Sequence, residues 1–271
     1  IVVSPLIALM KDQVENLKKR DIKAVAIYSG MSYREINYTL DNCIHGDIKF
    51  LYLSPERLKS DLVLERISQM NIGLLAIDEA HCISQWGYDF RPEYLQIAEI
   101  RELLKGIPIL ALTATATPEV VKDIQAQLKF AKPNVFVKSF ARKNIAYVVN
   151  DSEDKNQRML HILSKVNGSG LVYVRNRRKT QEIAYLLSKN RISADYYHAG
   201  LPHEVRNKKQ EDWIKNKTRI MVCTNAFGMG IDKPDVRVVV HYEMPESLES
   251  YYQEAGRAGR DEKKSFAVLL F

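Results

Sequence analysis

Two adjacent carboxylates, Asp78 and Glu79, follow the apolar run Leu74-Leu75-Ala76-Ile77 and precede Ala80-His81. A run that is apolar on both faces suits a parallel strand covered by helices on each side. Carboxylates at the carboxyl end of such a strand face the ligand crevice of an open α/β sheet. Asp78 there suits Mg²⁺ held through water, because Mg²⁺ in nucleotide sites keeps waters and takes few carboxylates. Glu79 can polarise an attacking water. A strand end with solvated acids is the alternative. The four apolar residues before the pair and the Ala-His after it favour the metal site.

Arg257 and Arg260 stand three apart in Gln253-Glu254-Ala255-Gly256-Arg257-Ala258-Gly259-Arg260. On a helix this spacing puts both guanidinium groups on one face, where they can stabilise charge on a transferring phosphoryl group. A pair of surface arginines is the alternative. The glycines weigh against it, since Gly inside a helix costs about 1 kcal/mol against Ala unless close packing needs it. Thr113-Ala114-Thr115 follows a strand-like run and precedes a helical one, so its hydroxyls can bond to neighbouring loops; in isolation a Ser/Thr-rich turn with a helix cap is the better reading.

These residues need elements to position them. Strand-like runs occur at 1–3, 24–28, 48–53, 74–77 and 108–112, and again at 170–174, 194–197, 220–223, 236–240 and 266–270. Amphipathic segments lie between them, such as 6–19, a segment opening at Pro118 after the N-cap candidate Thr117, and 180–189. Strand–helix alternation predicts βαβ units and mostly parallel sheets. The series breaks across 132–154, around Pro133 and the cluster Asp151-Ser152-Glu153-Asp154. Two α/β domains are expected, residues 1–140 and 141–271.

Composition narrows the partners. The formal net charge is +7. Residues 1–139 hold 17 Lys+Arg against 17 Asp+Glu, so the whole excess lies in the second half. A basic half fits a polyanion such as nucleic acid, although charge alone leaves a merely basic domain open. No stretch of about 18 apolar residues exists to span a membrane. Cys43, Cys82 and Cys223 are scattered, which argues against a disulfide framework or a zinc site and for a reducing cytosol.

Asp-Glu-Ala-His, Thr-Ala-Thr and Gln-x-x-Gly-Arg-x-Gly-Arg, in this order, resemble the core motifs of superfamily 2 helicases. The stretch from Asp78 through Trp86, Phe90 and Arg91 to Tyr94 resembles the RecQ family's Walker B motif running into its aromatic-rich loop. Val3-Ser4-Pro5-Leu6, Ser54-Pro55-Glu56-Arg57, Phe140-x-Arg142-x-Asn144, Tyr197-His198-Ala199-Gly200 and 224–234 match further family motifs. The resemblance implies two RecA-like domains, with ATP in the cleft and DNA across their tops. It also implies ATP-dependent unwinding of DNA with 3′-to-5′ polarity, in repair or recombination. By motif, Asp78 and Glu79 would serve Mg²⁺ and the attacking water, and His81 and Gln85 would link hydrolysis to DNA. Gly230, Asp232 and Gln253 would approach the nucleotide, and Arg257 and Arg260 would reach its phosphates, Arg260 as the finger.

The nucleic-acid set implied by resemblance is Ser54, Arg57, Thr115, His198 and Thr224, with the aromatic loop residues Trp86, Phe90 and Arg91. Ser4 and Pro5 are expected to open a helix whose N-terminus takes a backbone phosphate. Trp86 and Phe90 can stack bases; without the resemblance, domain packing would be the preferred reading, since aromatics are core residues first. Arg175, Arg177 and Arg178 read either as phosphate contacts or as a solvated face, and the face is favoured.

One expected part is missing. The sequence contains no Gly-x-x-x-x-Gly-Lys-Ser/Thr phosphate loop. In the family this loop precedes the first matched motif, so the chain, opening mid-strand, reads as a piece whose first domain is incomplete at its N-terminus. ATP and Mg²⁺ are the expected cofactors, with no zinc. DNA is the expected partner, as single strands and duplex junctions, with no membrane. The core is expected to be monomeric, in a bacterial cytoplasm or nucleoid. A helicase-like nucleic-acid scaffold without ATPase activity is the competing reading. Glu79, Arg257 and Arg260, retained together, favour the enzyme.

Overall fold

The computed structural model describes residues 1–87, 89–139, 141–227 and 231–271. Gly230, expected near the nucleotide, lies outside the described residues, as do Tyr88 and Phe140 of the matched motifs. The chain forms two compact units, Ile1–Val137 and Lys138–Phe271.

In the first unit the strands are β1 (Val2–Val3), β2 (Ala24–Ile27), β3 (Phe50–Leu53), β4 (Leu75–Ile77) and β5 (Ile109–Ala111). The helices are α1 (Ile7–Lys18), α2 (Tyr33–His45), α3 (Asp61–Ser68), α4 (Gln96–Leu103) and α5 (Pro118–Gln127). All pairings are parallel, in the order β2-β3-β1-β4-β5. Parallel strands need helical crossovers that cover both faces, so the central strands are apolar throughout. All three residues of β4 are buried. Thr117 caps α5 as expected, its side chain accepting from the Val120 N–H, with Pro118 at the first helical position.

The order of strands fixes where a ligand can sit. From β1 the chain moves toward β2 on one side, and from β4 it moves toward β5 on the other. The crevice at the carboxyl ends of β1 and β4 is therefore the topological switch point of this sheet. Val3 is in register with Ile77, so Ser4 and Asp78 emerge side by side at that point.

The second unit holds β6 (Ile145–Asn150), β7 (Ser169–Tyr173), β8 (Ala194–Tyr197), β9 (Ile220–Cys223), β10 (Val236–His241) and β11 (Ser265–Leu270). Its helices are α6 (Lys155–Lys165), α7 (Arg177–Lys189), α8 (His203–Ile214) and α9 (Leu248–Ala255). The sheet order is β6-β11-β10-β7-β9-β8, again parallel at every pairing. The α/β class with parallel sheets agrees with the sequence reading.

Two local expectations fail. Residues 145–150 form a strand inside the stretch read as a break. It is an edge strand whose Tyr147, Val148 and Val149 are exposed, so it lacks the covered apolar faces that mark the inner strands. The arginine motif is not helical: α9 ends at Ala255 with Gly256 as its cap, and 256–261 are turns. The glycines there belong to a turn rather than to close helix packing.

Candidate functional site

Asp78 leaves β4 at the switch point. Its Oδ2 accepts from the Ser4 hydroxyl at 3.1 Å, and its Oδ1 accepts from the Glu79 N–H at 3.0 Å. Its own N–H donates to Val3 O at 2.9 Å, and its carbonyl accepts from the Tyr94 hydroxyl at 3.0 Å. Burial raises the Asp78 pKa, and the bonds from Ser4 and Glu79 oppose that rise. A carboxylate accepts at about four lone-pair positions, so both oxygens keep acceptor capacity. A half-buried, pinned carboxylate beside a serine hydroxyl is a hard-oxygen donor set that fits a hydrated Mg²⁺.

Glu79 adopts the left-handed conformation, φ 48° and ψ 46°. For a non-glycine residue this costs on the order of 1–3 kcal/mol and collects at functional sites. The next N–H, of Ala80, is tied to Leu112 O at 2.9 Å, which holds the turn in place. His81 is buried, with Nδ1 2.9 Å from Thr113 Oγ1 and 3.4 Å from Glu79 Oε2. Glu79, His81 and the Thr113-Ala114-Thr115 segment are thus one connected group.

Burial holds the His81 pKa down, to about 4, so the ring is neutral at pH 7. Between that value and the ordinary 6.5 the unfolded chain binds more protons than the folded one. Stability therefore falls as pH falls through this window, by about 3 kcal/mol at 1.36 kcal/mol per unit. Unfolding measured across the window should show this slope in the wild type and a weaker one in His81→Asn. Equal slopes would refute a neutral, buried His81.

The loop after His81 folds back on the site. Arg91 N–H donates to Cys82 O at 2.9 Å, and its guanidinium donates to Asp89 Oδ2 at 2.8 and 3.2 Å. Trp86 is 79% exposed, Phe90 is partly exposed, and Gln85 is exposed. His81, Cys82 and Asp89 place ligand atoms within 4.8 Å of one another. Asp89 is already paired with Arg91, and burial, the leading cause, pushes the Cys82 thiol up to about 12.

The expectation for Ser4 and Pro5 is corrected. The helix begins at Ile7 with Leu6 as N-cap, and Ser4 is buried with its hydroxyl on Asp78. Ser4 therefore belongs to the carboxylate site. Ser54 is buried at the end of β3, and its Oγ has no hydrogen-bond partner among the described residues. The same holds for Thr115 Oγ1. Arg57 donates through Nε and Nη2 to Tyr28 O at 3.1 and 2.7 Å. The Tyr94–Asp78 and Ser4–Asp78 bonds escaped the sequence reading, since nothing in local spacing signals contacts 16 and 74 residues long.

In the second unit, Arg260 Nη1 donates to Asp232 Oδ1 at 3.0 Å and to Ile231 O at 3.1 Å. Asp232 and Arg260, expected together, are brought together. Arg257 lies against the buried Tyr173 hydroxyl, and Gln253 sits in the preceding turn of α9. His198 and Thr224 are buried at the ends of β8 and β9, and His198 Nδ1 has no partner among the described residues. Arg175 is not simply solvated: its Nε donates to Met244 O at 2.9 Å. Arg178 pairs with Glu182 on the solvent side of α7.

The profile of the DEAD/DEAH box helicase family matches residues 1–124, and that of the helicase conserved C-terminal domain matches 154–262. The chain is 44% identical over its whole length to the "Probable ATP-dependent DNA helicase RecS" of Bacillus subtilis, and covers 55% of that protein. It is 45% identical to "ATP-dependent DNA helicase RecQ" of the same organism, again over the whole chain and 46% of the relative. The chain belongs to the RecQ family of superfamily 2 helicases. It spans about half the length of these RecQ-type relatives.

Solved structures agree on the fold. The Mycobacterium smegmatis helicase Lhr, bound to ssDNA and AMP-PNP, gives a TM-score of 0.77 at 20% identity, over 99% of this chain and 39% of that one. The S. cerevisiae Dbp5 structure gives 0.74 at 17% identity, over 100% of this chain and 69% of that one. Both units of this RecQ-family chain are RecA-like. Among the described residues no helix is long and apolar enough to cross a membrane.

Proposed function

We propose that this chain forms the core of an ATP-dependent DNA helicase, coupling ATP hydrolysis to 3′-to-5′ movement on single-stranded DNA and to duplex unwinding. The observation that carries the reading is the pair Asp78–Glu79 at the switch point of the first sheet, with Asp78 pinned by Ser4 and Glu79 in a left-handed turn. Residues 1–140 act as the first RecA-like domain and 141–271 as the second.

Asp78, beside the Ser4 hydroxyl, would hold a hydrated Mg²⁺, and that ion would supply charge neutralisation at a triphosphate. Glu79 accepts a hydrogen bond from the attacking water and orients it. His81, neutral, ties Glu79 to Thr113, so displacement of the 113–115 segment is felt at the carboxylate. Gln85, exposed in the loop that follows, would couple this group to DNA by its motif position. Asp232, Gln253 and Gly230 lie in the motifs that approach nucleotide, while Arg257 and Arg260 stabilise charge on the transferring phosphoryl group.

Single-stranded DNA is bound through its backbone by Ser54, Arg57, Thr115, His198 and Thr224. A buried polar atom without a partner costs about 1–3 kcal/mol, and a DNA backbone or a water on it would satisfy Ser54 Oγ, Thr115 Oγ1 and His198 Nδ1. Pro5 sets the exit of the chain from β1 in the same motif as Ser4. Trp86, exposed in the loop that also carries Phe90 and Arg91, offers a stacking face worth about 1–3 kcal/mol per base regardless of sequence. The enzyme works as a monomer in the cytoplasm, where Cys43, Cys82 and Cys223 stay reduced.

DNA-stimulated ATPase activity of the full-length protein tests the reading. Turnover that rises with single-stranded DNA is expected; DNA binding without turnover would overturn it. The 271-residue polypeptide by itself, having no phosphate-loop motif, should hydrolyse ATP slowly. Robust turnover abolished by Glu79→Gln in that polypeptide would contradict this.

A further inference from the structure

We propose that Arg142 and Asn144 are positioning residues that hold the arginine-bearing turn 256–260 in its working shape. The inference rests on the reading of Arg257 and Arg260 as phosphate-facing groups. Beyond the end of α9 the carbonyls of Gly256 and Ala258 lack helical partners, and Gly259 O accepts one turn bond, from the Glu262 N–H at 3.0 Å. Arg142 bonds to all three: Nη1 donates to Gly256 O at 3.3 Å, and Nη2 donates to Ala258 O at 3.3 Å and Gly259 O at 2.7 Å. Asn144 Nδ2 donates to Gly259 O at 2.7 Å and Lys263 O at 3.0 Å. The two side chains thus grip the carbonyl side of the turn on both flanks of Arg257 and just before Arg260.

The opposite side of the turn is tied to β10, where the Gly259 N–H donates to Val236 O at 2.9 Å. Gly259 has φ +56°, and a Cβ there would lie 2.5 Å from Asn144 Nδ2 and 2.7 Å from Lys263 O. Asn144 therefore fills the space that any larger residue at 259 would need. The grip itself is anchored by the sheet: Ser265 N–H donates to Asn144 O at 2.9 Å, and Ile145 pairs with Ser265 where β6 joins β11. A rigid strand start thus fixes Arg142, Arg142 fixes the turn, and the turn carries Arg257 and Arg260. The grip depends on a planar fork that meets three carbonyls at once; a lysine at 142 keeps the charge but not the fork.

The test uses Arg142→Lys and Asn144→Ala in the full-length protein, with Arg260→Ala as the reference. Three quantities are read: ATPase kcat and KM at saturating single-stranded DNA, DNA affinity, and amide hydrogen exchange of 256–263 without nucleotide. In both variants kcat should fall about tenfold or more with KM and DNA affinity little changed. Exchange in 256–263 should rise about tenfold while β7 and β10 stay protected. Unchanged exchange at the turn, or unchanged kcat, would overturn the proposal. So would loss of protection across the whole second unit, which would make the residues a general staple of the fold. If Arg260→Ala itself keeps wild-type kcat, the underlying reading of the arginines fails, and that outcome is distinct from any result at Arg142.

Discussion

Glu79→Gln lowers DNA-stimulated kcat by about 100- to 10,000-fold, the range of a lost general base or water-orienting carboxylate. The substitution keeps the size and the hydrogen-bonding reach of the side chain and removes only its charge. Glu79 sits in a left-handed turn tied on its far side by the Ala80 N–H to Leu112 O, bonds that do not involve its side chain. The turn should therefore survive, and so should the pinning of Asp78 by Ser4. Nucleotide binding and single-stranded DNA binding should stay within about twofold, so the loss appears in kcat rather than KM. Equal losses in kcat and in DNA affinity would show that Glu79 shapes the protein rather than the reaction. The check is steady-state ATPase kinetics beside a DNA-binding titration, both in the full-length protein.

Arg260→Ala lowers kcat by about 1,000- to 100,000-fold, the span associated with loss of an arginine finger. The structural cost is small by comparison. Arg260 and Asp232 form an ion pair whose side chains are 37% and 67% exposed, and such exposed pairs contribute about 0–1 kcal/mol. Rate and stability should separate: turnover collapses while the unfolding midpoint barely moves. Arg260→Lys should rescue little, because a point charge does not reproduce the planar fork that meets a phosphate. A parallel fall of stability and rate would assign Arg260 to the packing of the Ile231–Asp232 segment instead.

What could be read from the sequence followed distance along the chain. Asp78, Glu79 and His81 are neighbours, and the apolar run before them marks a covered strand, so their position at a strand's carboxyl end was legible. The Thr117–Pro118 helix start was legible for the same reason. Ser4 was misassigned to a helix terminus because its partner is Asp78, 74 residues away and in register only through β1 and β4. Strand β6 was missed because an edge strand shows no doubly covered apolar pattern and because polar clusters flank it. The spacing of Arg257 and Arg260 suggested one helix face. The chain instead leaves the helix at Gly256, and the carbonyls it exposes are met by Arg142 and Asn144 more than 110 residues upstream. Local periodicity carries no signal for contacts of that length.

Strand separation on tailed duplexes tests the central claim most directly. The full-length protein is given ATP, Mg²⁺ and either a duplex with a 3′ single-stranded tail or one with a 5′ tail. ATP-dependent unwinding of the 3′-tailed duplex, absent on the 5′-tailed one and abolished by Glu79→Gln, is the expected result. Binding of the tailed DNA without ATP-dependent separation of its strands would contradict it.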